Sequence, residues 1–106
     1  MATIIGLIEK VKINGKEVLA KIDTGADRSS LDKKLAKNLG LNNIIKTMRI
    51  KSSHGRSVRP VIEADLELKG RTFKARFNLA DRSHMKYPIL IGKKILRQGF
   101  LIDPSK

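Results

Sequence analysis

Asp23-Thr24-Gly25-Ala26-Asp27 sets a carboxylate, a hydroxyl and the most permissive backbone residue side by side, with a second carboxylate close behind. The chemistry open to such a group follows from its residue types. Cutting a peptide bond without a metal needs one group to take a proton from water and another to give one to the leaving amide. Two carboxylates held close together do both, because they cannot both ionise cheaply and so share a proton. Asp23 is the candidate catalytic carboxylate. Thr24 supplies a hydroxyl that can fix the loop, and Gly25 lets the backbone come close to the acid groups. Asp-Thr-Gly occurs once in the 106 residues, so a two-carboxylate site built on it requires a second copy of the chain about a two-fold axis. Three residues alone recur by chance. The plain alternatives are a turn or cap residue for Asp23 and a solvated loop carboxylate for Asp27.

The surrounding elements must hold this group. Ile4–Ile13 is rich in Ile and Val and reads as a strand, and Asn14-Gly15 is the strongest short-range hairpin signal. Val18–Ile22 is the returning strand and delivers Asp23 at its end. Ser29-Ser30-Leu31-Asp32 offers capping side chains to a short helix with Leu31, Leu35, Ala36 and Leu39 at helical spacing, closed by Gly40. Thr47–Lys51 and Val58–Ile62 flank a polar hairpin tip that holds His54, Gly55 and Arg56. Glu63–Leu68 alternates acid with apolar, Lys69-Gly70 turns, and Thr72–Leu79 returns. A loop over 80–86 leads to Tyr87-Pro88 and the apolar run Ile89-Leu90-Ile91. After Gly92 come a short helical stretch over 93–98 and a last strand at Phe100–Ile102. The reading is a single all-β domain over 1–106, a barrel or sandwich with one or two short helices.

Composition narrows the function classes. The chain has 23 Lys and Arg against 10 Asp and Glu, a net charge of +13, and no cysteine. Disulfides and thiolate zinc sites are excluded, and the composition fits a reducing cytoplasm. The first apolar stretch, Ala2–Ile8, falls far short of the roughly 20 residues of a membrane span. The charge suits an anionic partner: an acidic peptide, nucleic acid or an acidic surface. Nucleic acid has no motif behind it, since Phe73, Phe77, Tyr87 and Phe100 sit in no basic cluster that would stack bases. His54 and His84 are the two histidines, and without His-Glu-x-x-His or cysteine no ordinary catalytic zinc set is present. The expected site needs neither metal nor cofactor.

Taken together, the N-terminal hairpin, Asp23-Thr24-Gly25-Ala26-Asp27, the middle hairpin and Ile89-Leu90-Ile91-Gly92 resemble the retropepsin-like aspartic proteases over nearly the whole chain. Arg59-Pro60-Val61-Ile62, the stretch Phe77 to Met85, Tyr87-Pro88 and Gly99 to Ser105 resemble a prokaryotic group of that family. Its members are commonly labelled "ATP-dependent zinc proteases" and often accompany RimK-type glutamate ligases. The resemblance implies an acid-protease barrel working as a two-fold homodimer, with Asp23, Thr24 and Gly25 catalytic. It implies substrate contacts from Ala26, Asp27, the flap residues His54, Gly55 and Arg56, and Leu90 and Ile91 beneath the loop. It also pairs Asp27 with the basic residue after the downstream glycine, here Lys93 in place of the arginine of viral enzymes; lysine cannot form the bidentate pair. Some members are thought to act on glutamate-rich tails, which agrees with Arg49, Lys51, Arg56 and Arg59 in the flap. The rival reading is a non-catalytic module on the same scaffold that grips acidic peptides or nucleic acid. The termini, Met1–Ile5 and Leu101–Lys106, are the segments that interleave with a partner in viral enzymes.

Overall fold

The computed structural model describes residues 2–52 and 55–106. Its elements in chain order are β1 (Thr3–Ile5), β2 (Ile8–Ile13), β3 (Lys16–Ile22), β4 (Ser29–Asp32), α1 (Lys33–Asn38), β5 (Ile44–Ser52), β6 (Gly55–Leu68), β7 (Arg71–Ala80), β8 (Ile89–Ile91), α2 (Lys93–Leu96) and β9 (Phe100–Ile102). Six of the strands close a ring in the order β2-β3-β8-β4-β7-β6, sealed by pairing of β6 back onto β2. Closure leaves those strands without free edges. The expected all-β barrel with short helices is present.

Two tight turns set the register. Asn14 (φ 50°) and Gly15 (φ 86°) join β2 to β3, and Lys69 (φ 50°) and Gly70 (φ 76°) join β6 to β7. Two successive positive φ values make the mirror-image turn whose twist matches paired strands. Alternation then sorts the side chains: Ala64, Leu66 and Leu68 point into the barrel with Ile13, Ala20, Phe77, Ile89 and Ile91, all buried. The outward acids of β6 face the bases of β7, as Arg76 Nε to Glu63 Oε2 at 3.8 Å and Lys74 Nζ to Asp65 Oδ1 at 3.5 Å. Such exposed pairs contribute about 0–1 kcal/mol each, so the core carries the fold.

Several elements differ from the sequence reading. The first strand is broken at Gly6-Leu7. Its first part, β1, leaves the barrel to pair in parallel with β9 of the same chain, and the C-terminal turn folds back so that Asp103 N–H donates to Ile5 O at 2.8 Å. Ser29–Asp32 is more than a capping segment. It forms β4, parallel to β7 and antiparallel to β8, because Ser29 and Ser30 find buried partners there. Asp32 still caps α1, accepting from Leu35 N–H at 3.3 Å, and Gly40 (φ 71°) ends the helix. Val58–Ile62 and Glu63–Leu68 are one continuous 14-residue strand, β6. Its outer half pairs with β5 as a hairpin standing off the barrel. No helix among the described residues is long and apolar enough to cross a membrane.

Candidate active site

β3 ends at Ile22, and the next residue leaves the barrel as the first of a short loop. Asp23 N–H donates to Ile91 O at 2.9 Å, which ties the loop to β8. The Asp23 carboxylate, half-buried, accepts the Gly25 N–H on Oδ1 at 2.9 Å. A Cβ on Gly25 would stand 3.2 Å from that same oxygen, so glycine leaves the carboxylate room. Thr24 is exposed on the same loop, where a neighbouring chain could reach its hydroxyl.

The far side of the loop is clamped by the turn after β8. Gly92 N–H donates to Ser29 Oγ at 3.0 Å; Lys93 and Lys94 N–H donate to Ala26 O at 2.8 Å and Asp27 O at 3.0 Å. The approach is so close that a Cβ on Gly92 would lie 2.4 Å from Arg28 O and 2.9 Å from Ala26 O. The expected brace is formed by lysine: Lys93 Nζ stands 3.1 Å from Asp27 Oδ1. The hydrogen bond and charge of Lys93 hold the Asp27 carboxyl below its ordinary value; desolvation opposes them, and Arg97 and Arg28 add lesser lowering contributions.

An open groove of about 440 Å³ runs between this loop and the β5–β6 hairpin. Ala26 and Asp27 form one wall with Arg28; Arg49, Ile50 and Lys51 of β5 form the other. Its floor is a row of register partners on one face of the sheet, Leu90 on β8, Ser30 on β4 and Asn78 on β7. Arg59 and Arg82 complete the lining, so among the described residues five cations meet one carboxylate. Of the residues expected to meet substrate, Ala26, Asp27 and Leu90 line the groove. Ile91 turns its side chain into the core and offers its carbonyl to Asp23 instead. Gly55 and Arg56 sit at the outer end of the hairpin, exposed and outside the lining. His54 lies outside the described residues.

Sequence reasoning gave Ser30 a capping role and left Arg82 in a loop, and it assigned neither of them nor Asn78 to the site. Asn78 is 3% exposed; its Oδ1 accepts Ser30 Oγ–H at 2.9 Å and an Arg59 Nη1–H at 3.1 Å, while its Nδ2 donates to Ser29 O at 3.0 Å. An asparagine amid strand residues is an unusual choice and was the available signal.

The closed six-stranded barrel, the Asp-Thr-Gly loop on its rim and the overhanging hairpin define a retropepsin-like fold. Solved structures agree. The simian foamy virus protease superposes with a TM-score of 0.67 at 22% identity, covering 85% of this chain and 91% of that one. The equine infectious anaemia virus (EIAV) protease, complexed with an inhibitor, gives 0.68 at 24%, covering 86% and 85%. A Legionella pneumophila protein of unknown function gives 0.69 at 21%, covering 98% and 94%. Residues 32–106 match the model of the RimB-like family, described as retropepsin-like aspartic endopeptidase RimB, and the chain belongs to that family. The matched segment begins after the Asp23 loop. A Shewanella pealeana protein described as a probable alpha-L-glutamate ligase is 32% identical over 66 residues, 61% of this chain. The chain spans only 14% of the length of that curated relative.

Proposed function

We propose that the chain is a homodimeric aspartic endopeptidase in which two Asp23 carboxylates, one from each subunit, activate the water that attacks a peptide bond. The observation that carries this reading is the Asp23 loop: its carboxylate is held by Gly25 N–H, its backbone is tied to β8, and Ala26 and Asp27 of the same loop line the groove. One carboxylate shares the pair's proton and donates it to the leaving nitrogen; the other takes a proton from water. No covalent intermediate is required. Thr24 reaches across the two-fold axis, and the two hairpins close over the cleft as flaps. The cations of the groove select acidic peptides.

The test is Asp23→Asn, assayed by digestion of a peptide library at acidic and neutral pH with and without pepstatin. The variant is expected to fold and to lose cleavage; ordinary cleavage by it would overturn the mechanism. The five cations of the groove also favour a binding module without catalysis. That reading requires the unaltered chain to cleave nothing while binding acidic peptide or nucleic acid with steep salt dependence.

A further inference from the structure

Arg82 is 9% exposed, and its position is fixed from two sides. Its backbone N–H donates to Asp32 Oδ1 at 2.8 Å, and its Nε donates to Tyr87 O at 3.0 Å. Neither bond uses the two terminal guanidinium nitrogens, which have no hydrogen-bond partner among the described residues although the side chain lines the groove. Arg59 stands in the same groove, half-buried, oriented by its bond to Asn78. Among the described residues neither arginine has a salt bridge to an acid. Asp27 is taken by Lys93, and Asp32 spends its oxygens on the Arg82 backbone and the cap of α1. Burial lowers the affinity of the Arg82 guanidinium for its proton, Asp32 opposes this, Arg59 lowers it further and Asp23 opposes again.

Among the described residues no buried side-chain nitrogen lacks a hydrogen bond, so the free end of Arg82 opens to the groove; holding a mostly buried cation there with a second beside it is still costly. A planar fork of free N–H donors matches a carboxylate in two parallel hydrogen bonds. Leu90 and Ser30 line the same groove as that fork, one apolar and one polar. Resting on the endopeptidase reading above, we propose that Arg82, assisted by Arg59, forms a carboxylate-binding subsite in the groove that the Asp23 loop borders. It takes the side-chain carboxylate of one acidic residue of a bound peptide and so fixes where along an acidic chain the scissile bond lies. Asn78 and Asp32 are its positioning residues.

The test separates binding from cleavage. Fluorescein-labelled octapeptides, each with one Glu and its Gln counterpart at the same place, are titrated against the Asp23→Asn chain and against the same chain carrying Arg82→Gln. At one Glu position the exchange to Gln is expected to weaken binding about ten- to a hundredfold when Arg82 is present, and by less than about threefold when it is Gln. An equal loss for Glu and Gln peptides on Arg82→Gln would show that Arg82 only braces its loop, and would overturn the subsite. A loss that follows amidation of the peptide C-terminus instead of the side-chain exchange would overturn it too. Circular dichroism checks folding; if Arg82→Gln does not fold, the same comparison on the half-exposed Arg59→Gln decides. Failure of the Asp23-containing chain to cleave these peptides would count against the endopeptidase reading and leave the binding comparison intact.

Discussion

Replacing Gly92 by alanine would set a methyl group 2.4 Å from the Arg28 carbonyl oxygen, 2.7 Å from its carbon and 2.9 Å from Ala26 O. These are backbone atoms, so no side-chain rotation relieves the clash. A carbon needs roughly 3.3 Å from a carbonyl oxygen, so the Asp23 loop and the turn before α2 must separate by about 0.9 Å. Overpacking of this kind costs about 1–3 kcal/mol. The upper end applies because the bonds from Gly92 N–H to Ser29 and from Lys93 N–H to Ala26 are stretched together. At about 3 kcal/mol, Tm falls by roughly 12 °C or more for a domain of this size. Movement on the ångström scale at a reacting group costs on the order of a hundredfold in rate, so kcat/KM should fall more than stability alone explains. Thermal unfolding and peptide cleavage below Tm measure the two effects. Gly40→Ala is the control: φ is +71° with nothing within 4 Å, so it should cost about 1–2 kcal/mol with cleavage retained. A Gly92→Ala chain melting within about 2 °C of the parent and cleaving normally would refute the clamp.

Asn78→Leu keeps the volume but removes the partners of Ser30 Oγ, Ser29 O and Arg59; unfolding in urea should show a loss of about 2–4 kcal/mol, and a change under about 0.5 kcal/mol would contradict the buried network. Lys93→Ala should return the Asp27 carboxyl toward its ordinary value, read by NMR titration. The sign is fixed by the folded carboxyl lying below 3.8: its contribution to stability is present above the unfolded value and fades as pH falls through the lower folded one. The Lys93→Ala chain should therefore show a smaller dependence on pH in that acidic window, and an unaltered Asp27 titration would show that the lysine does not hold it.

The motif and its immediate supports were legible because local rules decide them. Asn14-Gly15 and Lys69-Gly70 can be little but tight turns, and the acid–apolar alternation of Glu63–Leu68 has one way to face a core. Asp23 follows from where β3 must end. Ser29-Ser30 misled because serines favour caps in isolation; their place in a central strand depends on Asn78 and Gly92, 48 and 63 residues away. Arg82 read as a loop residue for the same reason, since Asp32 and the far end of its own loop bury it. Pairing of β1 with β9 joins the two ends of the chain, and no local pattern encodes which strands meet. Ile91 follows from the pleat: Ile89 and Ile91 share the inward face, which leaves Leu90 alone to face the groove.

The central claim is that one site is made from two chains, and mixing tests it most directly. Unaltered and Asp23→Asn chains are combined in equal amounts at fixed total concentration, allowed to exchange, and assayed for cleavage of an acidic peptide. Random pairing about a two-fold axis leaves about one quarter of the dimers with both carboxylates, so activity should fall to about one quarter of that of the unaltered protein. Activity of about one half, the value expected if each chain cleaves by itself, would contradict the shared site.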